Sequence, residues 1–209
     1  MSFYERHILP RIINCACGAG PIMEQRNKVV PLSRGTVLEI GIGTGLNLPF
    51  YDAEKVDRVI GLDPSESSWE LAKKRVADVD FDVSFIGLPE GSIPLEDASV
   101  DTILITYALC TIPDPVKALQ GMRRVLRPSG ELIFCEHGKA PDANVHKWQN
   151  RLDGFWGTFT GGCHLNRDIP EILHAGGFEV KTKDQMYLAK HPRPIGFNCW
   201  GTACSAHSQ

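Results

Sequence analysis

A glycine-rich turn at residues 41–47 carries the clearest chemical signal in the chain. Glycine stands at alternate positions, directly after an apolar run. Because glycine has no Cβ, the backbone there turns tightly and approaches a ligand closely. Several classes of nucleotide-binding protein share such a turn between a strand and the following helix. The turn therefore predicts a nucleotide site, and its candidate contact residues are Gly41, Ile42, Gly43, Gly45 and Asn47.

Two carboxylates accompany this turn. Glu39 lies two residues before Gly41, and Asp63 ends the next apolar run, twenty-two residues after Gly41. Asp63 stands where an acid accepts hydrogen bonds from ribose hydroxyls. Glu39 suits an ammonium group, or support of the turn, better than a pyrophosphate, whose negative charge it would repel. The pair argues against a dinucleotide.

The segments that must position these residues alternate between short apolar runs and longer amphipathic stretches, which is typical of βαβ units around a mostly parallel sheet. Five to seven strands are expected, and the clearest are residues 36–40, 56–62, 83–86, 100–106 and 131–135, with two more near 178–188 and 197–203. Apolar spacing of three and four predicts helices. These are residues 4–14, 22–29, 67–77, 115–126 and a short one near 170–175.

The acid and glycine turn resemble motif I of the class I S-adenosylmethionine-dependent methyltransferases, in which an acid precedes Gly-x-Gly-x-Gly after the first strand. Residues 87–101 are similar to that family's adenine-side loop and the start of its fourth strand. Residues 106–114 and 125–130 resemble the next strand end and the Leu-Arg-Pro-Gly-Gly turn, with Ser129 replacing one glycine. The resemblance implies an α/β, Rossmann-like methyltransferase fold, a seven-stranded mostly parallel sheet with an antiparallel last strand, and S-adenosylmethionine as cofactor.

The same resemblance implies further cofactor contacts. The family often has an aspartate that contacts the adenine amino group at the position of Leu88. A backbone contact over residues 88–90 is expected here instead. Beyond the turn and its two acids, the implied contact residues are Pro64, Leu88, Pro89, Glu90, Thr106 and Tyr107.

The C-terminal third holds the residues that are expected to face a methyl acceptor. His137 follows the fifth strand, and His164 lies in a Gly-Gly-Cys-His segment after a Trp-rich and Phe-rich helix. Ligands of open α/β sheets bind beyond the carboxyl ends of the strands, so both segments are expected near the transferred methyl group. Histidine titrates in the range that suits a base for a thiol. The catalytic base is therefore predicted to be His137 or His164, and the alternative for His137 is a supporting hydrogen bond to the backbone.

This third also resembles a narrower branch, the small methyltransferases akin to alkyl-thiol S-methyltransferases. Its Glu-His after strand five, Trp-rich helix and Gly-Cys-x-Leu-x-Arg occur here in the same order, ending at residues 162–167. The branch implies in-line transfer to a small thiol, with lipid amines and quinone-like compounds as related acceptors. Its N-terminal hydrophobic anchor has no counterpart here, so a soluble enzyme without stable membrane insertion is expected.

The cysteines and tryptophans have structural interpretations. Seven cysteines without a secretory leader predict reduced thiols. Cys15-x-Cys17 has no second pair at matched spacing, so no metal site is expected. Core packing or pocket lining is predicted for Cys15, Cys17 and Cys110, because a free cysteine behaves like a small apolar residue. Trp148 and Trp156, eight residues apart on one helical face, are predicted to pack in the core.

Length and charge exclude several classes. A chain of 209 residues fits one domain, predicted as a helical cap over residues 1–35, a cofactor-binding half over 36–138 and a substrate-side half over 139–209. A net charge of −3 without a block of like charge argues against nucleic acid as the main partner. No run of about 20 apolar residues occurs. Charged residues at positions 5–7 oppose a signal peptide, so a cytoplasmic location is expected.

Three further points remain open in the sequence. The first helix, with Tyr4 and His7, is expected to fold over the cofactor as a lid, and plain packing is the alternative. A protein that binds S-adenosylmethionine without catalysis, and only regulates a partner, would carry the same glycine turn. An NAD-dependent oxidoreductase is disfavoured, because Leu46 occupies the sixth position of Gly-x-Gly-x-x-Gly.

Overall fold

A computed structural model describes residues 9–87 and 93–206. The helices in these ranges are α1 (Leu9–Cys17), α2 (Gly20–Val29), α3 (Glu66–Val76), α4 (Pro115–Val125), α5 (Ala143–Phe159), α6 (Ile169–Ala175) and α7 (Arg193–Gly196). The strands are β1 (Gly35–Ile40), β2 (Val56–Asp63), β3 (Asp82–Gly87), β4 (Val100–Thr106), β5 (Leu126–His137), β6 (Phe178–Tyr187) and β7 (Phe197–Ser205). Two short 3-10 turns cover Val30–Leu32 and Leu48–Phe50.

The strands form a single seven-stranded sheet in the order β3-β2-β1-β4-β5-β7-β6. Strands β1 to β5 pair in parallel, and β7 runs antiparallel to both β5 and β6. The predicted fold, with its antiparallel last strand, is confirmed. Strands β2 and β3 add on one side of β1, and β4 and the later strands add on its other side. Strands β1 and β4 therefore flank the switch point where ligands of such sheets bind.

Both faces of the sheet are covered, which explains the nearly continuous apolar strand sequences. On one face, Leu38, Ile103 and Phe134 pack with apolar residues of α4 and α6. On the other face, Val37, Leu104 and the neighbouring strand residues pack with apolar residues of α2 and α3. We call these the α4 face and the α2 face. Side chains alternate between them along each strand, so adjacent residues at a strand end serve different faces.

Some element ends differ from the sequence expectation. Strand β5 begins at Leu126 rather than at residue 131, because its pairing with β4 jumps from Leu126 opposite Val100 to Glu131 opposite Thr102. This irregularity accommodates Pro128, which has no N–H to donate to a regular ladder. The predicted lid residues Tyr4 and His7 lie outside the described ranges. Within those ranges, no helix has the length and apolar character that crossing a membrane requires.

Candidate active site

The glycine turn has a backbone that requires glycine. Gly41, Gly43 and Gly45 have φ angles of 71°, 52° and 75°, in the left-handed region. A Cβ on Gly41 would lie 2.6 Å from the Cβ of Ala108, in the segment that follows β4. The turn therefore packs directly against the end of β4, and a side chain at Gly41 would push the two apart.

Asp63 ends β2 beside this turn. One carboxylate oxygen accepts a hydrogen bond from the backbone N–H of Gly43 at 3.0 Å, and the other accepts one from Ser65 at 2.8 Å. Burial raises the pKa of Asp63 above its ordinary value. The side chain fixes the turn in place, and Pro64 follows it at the end of the strand. The contact of Asp63 with ribose hydroxyls stays a prediction.

Glu39 is buried at the base of the turn, on the α2 face. Its carboxylate accepts hydrogen bonds from the Asn47 amide at 2.9 Å and from the Tyr51 hydroxyl at 2.7 Å. Burial raises the pKa of Glu39 to about 7. These bonds support the turn, and the role of Glu39 toward an ammonium group stays a prediction.

Arg26 of α2 joins this group, and sequence reasoning missed it. Its Nη1 donates to the side-chain oxygens of Asn47 at 2.7 Å and of Thr106 at 2.6 Å. Its guanidinium lies 5.2 Å from the ring centre of Tyr107. Arg26 follows the buried Ile22 by four residues and precedes the buried Val29 by three. That helical spacing was the available signal, because it places a charged residue on an apolar face.

Tyr107 begins the segment of residues 107–112, which we call the post-β4 segment. Its φ of 54° is unusual for a residue with a side chain and costs about 1–3 kcal/mol. The surroundings hold it in place: its hydroxyl donates to Asn198 at 2.6 Å, and its ring packs edge-on against His137 at 5.0 Å. Non-glycine residues held in this conformation cluster at functional sites.

The rest of the post-β4 segment is held through its backbone. The buried carboxylate of Glu136 accepts N–H bonds from Ala108, Leu109 and Cys110 at 2.8, 2.9 and 3.2 Å. Arg167 donates to the carbonyls of Leu109 at 2.6 Å and of Ile112 at 2.8 Å. Burial raises the pKa of Glu136 to about 7. One residue from β5 and one from the loop before α6 therefore fix this segment from both sides.

The two candidate histidines lie in different surroundings. His137 is half-buried, desolvation lowers its pKa to about 4, and its Nδ1 has no hydrogen-bond partner among the described residues. The Nδ1 of His164 lies 2.8 Å from the Oδ2 of Asp153, and the His164 side chain is 43% exposed. The other Asp153 oxygen accepts from the N–H of Leu165 at 2.8 Å, which fixes the carboxylate. In a neutral His164 whose Nδ1 donates to Asp153, the acceptor lone pair lies on Nε2.

The His164 loop rests on the post-β4 segment. The N–H of His164 donates to the carbonyl of Cys110 at 2.9 Å, and the thiols of Cys163 and Cys110 lie 3.5 Å apart. Both cysteines are buried, and the hydrogen bond from the Cys163 thiol raises the pKa of Cys110 well above its usual value. This contact brings His164 to the carboxyl end of β4.

Two expectations of core packing are wrong. Cys15 is exposed on α1, so it does not pack in the core, whereas Cys17 is half-buried and Cys110 is buried. Trp148 is 53% exposed, because α5 turns that face outward, and the guanidinium of Arg151 lies 5.3 Å from its ring centre. In the described ranges, no three His, Cys, Asp or Glu side chains group as metal ligands would. Leu88, Pro89 and Glu90 lie outside the described residues.

A cavity of about 190 Å³ lies apart from these groups. It is lined by residues that include Lys139, Ile169, Lys183 and Cys199, and by no residue of the glycine turn. We place the active site at the turn instead, because the buried charges and the left-handed backbone converge there.

Fold and site together define a class of protein. A seven-stranded sheet in this order, with a reversed last strand and an acid-glycine turn at its switch point, is that of a class I S-adenosylmethionine-dependent methyltransferase. The residues present fit this cofactor: a glycine cradle that a Cβ would fill, carboxylates at Glu39 and Asp63, and a buried Arg26 Nε without a partner.

Comparison with known proteins gives the family. The chain belongs to the methyltransferase family, whose methyltransferase domain matches residues 38–134. Thiol S-methyltransferase TMT1B of Rattus norvegicus is 34% identical over 173 residues, covering 80% of this chain and 70% of that protein. TMT1B of Homo sapiens is 31% identical over 163 residues, covering 76% of this chain and 64% of the relative. The methyltransferase solved with the Haloferax volcanii Trm112 activator shares the fold, with a TM-score of 0.70 and 19% identity over 98% of this chain and 96% of that chain.

Proposed function

We propose that the protein transfers a methyl group from S-adenosylmethionine to a small thiol, with His164 as general base and Asp153 as the residue that orients it. The observation that carries the base assignment is the Nδ1 to Oδ2 distance of 2.8 Å, in a loop bonded to the post-β4 segment. The thiol acceptor is supported by the 34% identity to thiol S-methyltransferase TMT1B.

A base has a clear use in this reaction. The methyl group is already activated on a sulfonium, so an aligned nucleophile takes it in one displacement. A thiol with a pKa near 8.5 is mostly protonated at pH 7, and only its thiolate is strongly nucleophilic. The thiol proton passes to Nε2 of His164 as the new carbon–sulfur bond forms and the bond from the methyl group to the sulfonium breaks, which yields a thioether and S-adenosylhomocysteine. Orientation by the surrounding segments contributes on the order of 7–11 kcal/mol.

His137 takes a different part in this proposal. With a pKa of about 4, its imidazole is neutral at pH 7 and is a weak base there. Its ring instead supports Tyr107. The contact residues Gly41, Ile42, Gly43, Gly45, Asn47, Asp63, Pro64, Thr106 and Tyr107 remain part of the same proposal, as does the adenine contact over residues 88–90.

The domain organisation also belongs to the proposal. We propose one domain over residues 1–209 in which the first 35 residues cap the cofactor. Support comes from α1, where Asn14 accepts a hydrogen bond from the Thr44 hydroxyl of the turn at 2.6 Å. The bonds of Arg26 from α2 give further support. The cytoplasmic location stays a prediction.

A matched acceptor panel tests the function. The protein is incubated with methyl-labelled S-adenosylmethionine and an alkanethiol, or the amine, alcohol and hydroquinone that carry the same alkyl chain, and products are identified by mass spectrometry. The thioether is expected as the main product. Methylated amine or hydroquinone without thioether would contradict the thiol assignment. Cofactor binding without any methylated product would support a purely regulatory protein.

A further inference from the structure

Arg26 is a buried cation without a direct anionic partner. Its side chain belongs to a residue that is 5% exposed, and in the described part of the chain it forms no ion pair. Its two hydrogen-bond acceptors, the oxygens of Asn47 and Thr106, are neutral. A buried charge whose direct hydrogen-bond acceptors are all neutral is unfavourable, so this arrangement favours an anion that arrives from outside.

One edge of the buried guanidinium makes no hydrogen bond to a described residue. Both hydrogen bonds come from Nη1, whereas Nε has no partner and no bond to a described residue uses Nη2. Nε and Nη2 form the edge that meets a carboxylate side-on through two parallel hydrogen bonds. The guanidinium of Arg26 therefore has the geometry of a carboxylate receptor, and its Nη1 is already fixed by Asn47 and Thr106.

The carboxylate of Glu39 belongs to the same hydrogen-bond network, and Asn47 lies between it and Arg26. The Asn47 amide accepts from Arg26 through its oxygen and donates to Glu39 through its nitrogen. A guanidinium and a carboxylate are thus held on either side of one amide, at the base of the glycine turn. This pair of charges is complementary to an α-amino acid, which carries an ammonium and a carboxylate on the same carbon.

We infer that Arg26 binds the carboxylate at the amino-acid end of S-adenosylmethionine. Helix α2 then contributes directly to recognition of the methyl donor, through a residue that precedes the glycine turn in sequence. This inference does not depend on the acceptor, so its failure would leave the thiol assignment untouched.

A purely structural role for Arg26 is the competing explanation. In that case Arg26 only ties α2 to the turn and to Thr106 at the end of β4. Its loss would then disturb the whole donor site and weaken every ligand that binds there. A ligand that lacks only the carboxylate separates the two explanations.

The experiment measures binding by calorimetry with S-adenosylmethionine and with its decarboxylated analogue. The wild-type protein is expected to prefer the carboxylated ligand. Arg26→Gln is expected to lower affinity for S-adenosylmethionine by about tenfold to a hundredfold, the usual range for a lost hydrogen bond to a charged group, and for the analogue by less than about threefold. Equal losses for both ligands, or a wild-type protein that binds both equally, would overturn the inference.

Two further variants keep the test decisive. Arg75→Gln removes another guanidinium that contacts the turn, through the Thr44 carbonyl at 2.8 Å, and is expected to change both affinities by the same factor. Arg26→Lys keeps the charge but lacks the edge with two donors, so it is expected to retain part of the preference for S-adenosylmethionine over the decarboxylated analogue. It replaces Arg26→Gln if thermal unfolding shows that the glutamine variant does not fold.

Discussion

At the carboxyl ends of the strands, the α2 face and the α4 face hold different kinds of polar group. On the α2 face, side chains bond to side chains: Arg26, Glu39, Asn47, Tyr51 and Thr106 are joined at 2.6 to 2.9 Å. On the α4 face, Glu136 and Arg167 bond to the backbone of the post-β4 segment.

The difference suits two different tasks. A side-chain network fixes charges relative to one another, which is what an invariable donor with charged groups requires. Bonds to backbone fix the course of a segment and leave its side chains unconstrained. In the proposed function the acceptor binds beside this segment, whose side chains can differ while its backbone keeps its position. Gly41 and Ala108 form the contact where the two regions meet.

The largest effect is expected at that contact. Gly41→Ala introduces a Cβ 2.6 Å from the Ala108 Cβ at a φ of 71°. Left-handed strain of about 1–2 kcal/mol and overpacking of about 1–3 kcal/mol should lower the unfolding free energy and weaken S-adenosylhomocysteine binding. Urea unfolding and calorimetry measure both.

Gly154→Ala is the matched control, because a Cβ there meets nothing within 4 Å and the residue lies in α5. Its expected effect is a gain of about 0.5–1 kcal/mol in unfolding free energy. If Gly41→Ala were as harmless as this control, the two regions would not depend on one another.

An intermediate, pH-dependent effect is expected on the α4 face. The folded-state pKa of Glu136 is about 7, above its usual value of 4.5. Between these values the folded protein binds more protons than the unfolded chain, so this group's stabilisation is lost as pH rises through 7. Glu136→Gln cannot titrate, so the stability deficit of the variant should shrink by on the order of 1–3 kcal/mol from about pH 5 to pH 8.

Urea unfolding of both proteins across this range gives the difference directly. The contributions of Glu39 and His137 are common to both proteins and cancel. A deficit that stays constant or grows with pH would mean that the Glu136 carboxyl is not the titrating group in the post-β4 region.

A small effect is expected from Tyr51→Phe on the α2 face. It removes the hydroxyl that donates to Glu39 at 2.7 Å and leaves the Asn47 bond in place. Because the raised pKa of Glu39 leaves its carboxyl only partly charged near pH 7, loss of this hydrogen bond should cost about 0.5–1.5 kcal/mol of stability, and affinity for S-adenosylhomocysteine should fall a few-fold. The KM for the acceptor should stay unchanged. A changed KM for the acceptor with unaltered cofactor affinity would contradict the assignment of the α2 face to the cofactor rather than to the acceptor.

The two regions also differ in how far the sequence predicts them. The glycine turn and the positions of Glu39 and Asp63 beside it are readable because they follow from spacing along adjacent strands, and the sheet follows from apolar runs. Arg26 lies on a helix before these motifs, and only its place on an apolar face marks it. Its partners come from elsewhere in the chain.

The post-β4 segment and the His164 loop are less readable for a physical reason. The bonds from Glu136 and Arg167 to the post-β4 segment join residues far apart in sequence and use backbone atoms, which have no residue signature. The Asp153 contact of His164 depends on how the loop after α5 folds back. The outward turn of Trp148 likewise depends on which face of α5 packs, and spacing alone does not decide that.

Single-turnover methylation of an alkanethiol by His164→Ala, measured from about pH 6 to pH 9.5, tests the proposed chemistry most directly. With S-adenosylhomocysteine affinity unchanged, the rate near pH 7 should fall by about a hundredfold, and the gap to wild type should narrow above the thiol pKa near 8.5, where the thiolate forms unaided. His174→Ala, an exposed histidine on α6, should match wild type. Identical rates for His164→Ala and wild type at every pH would contradict His164 as the base.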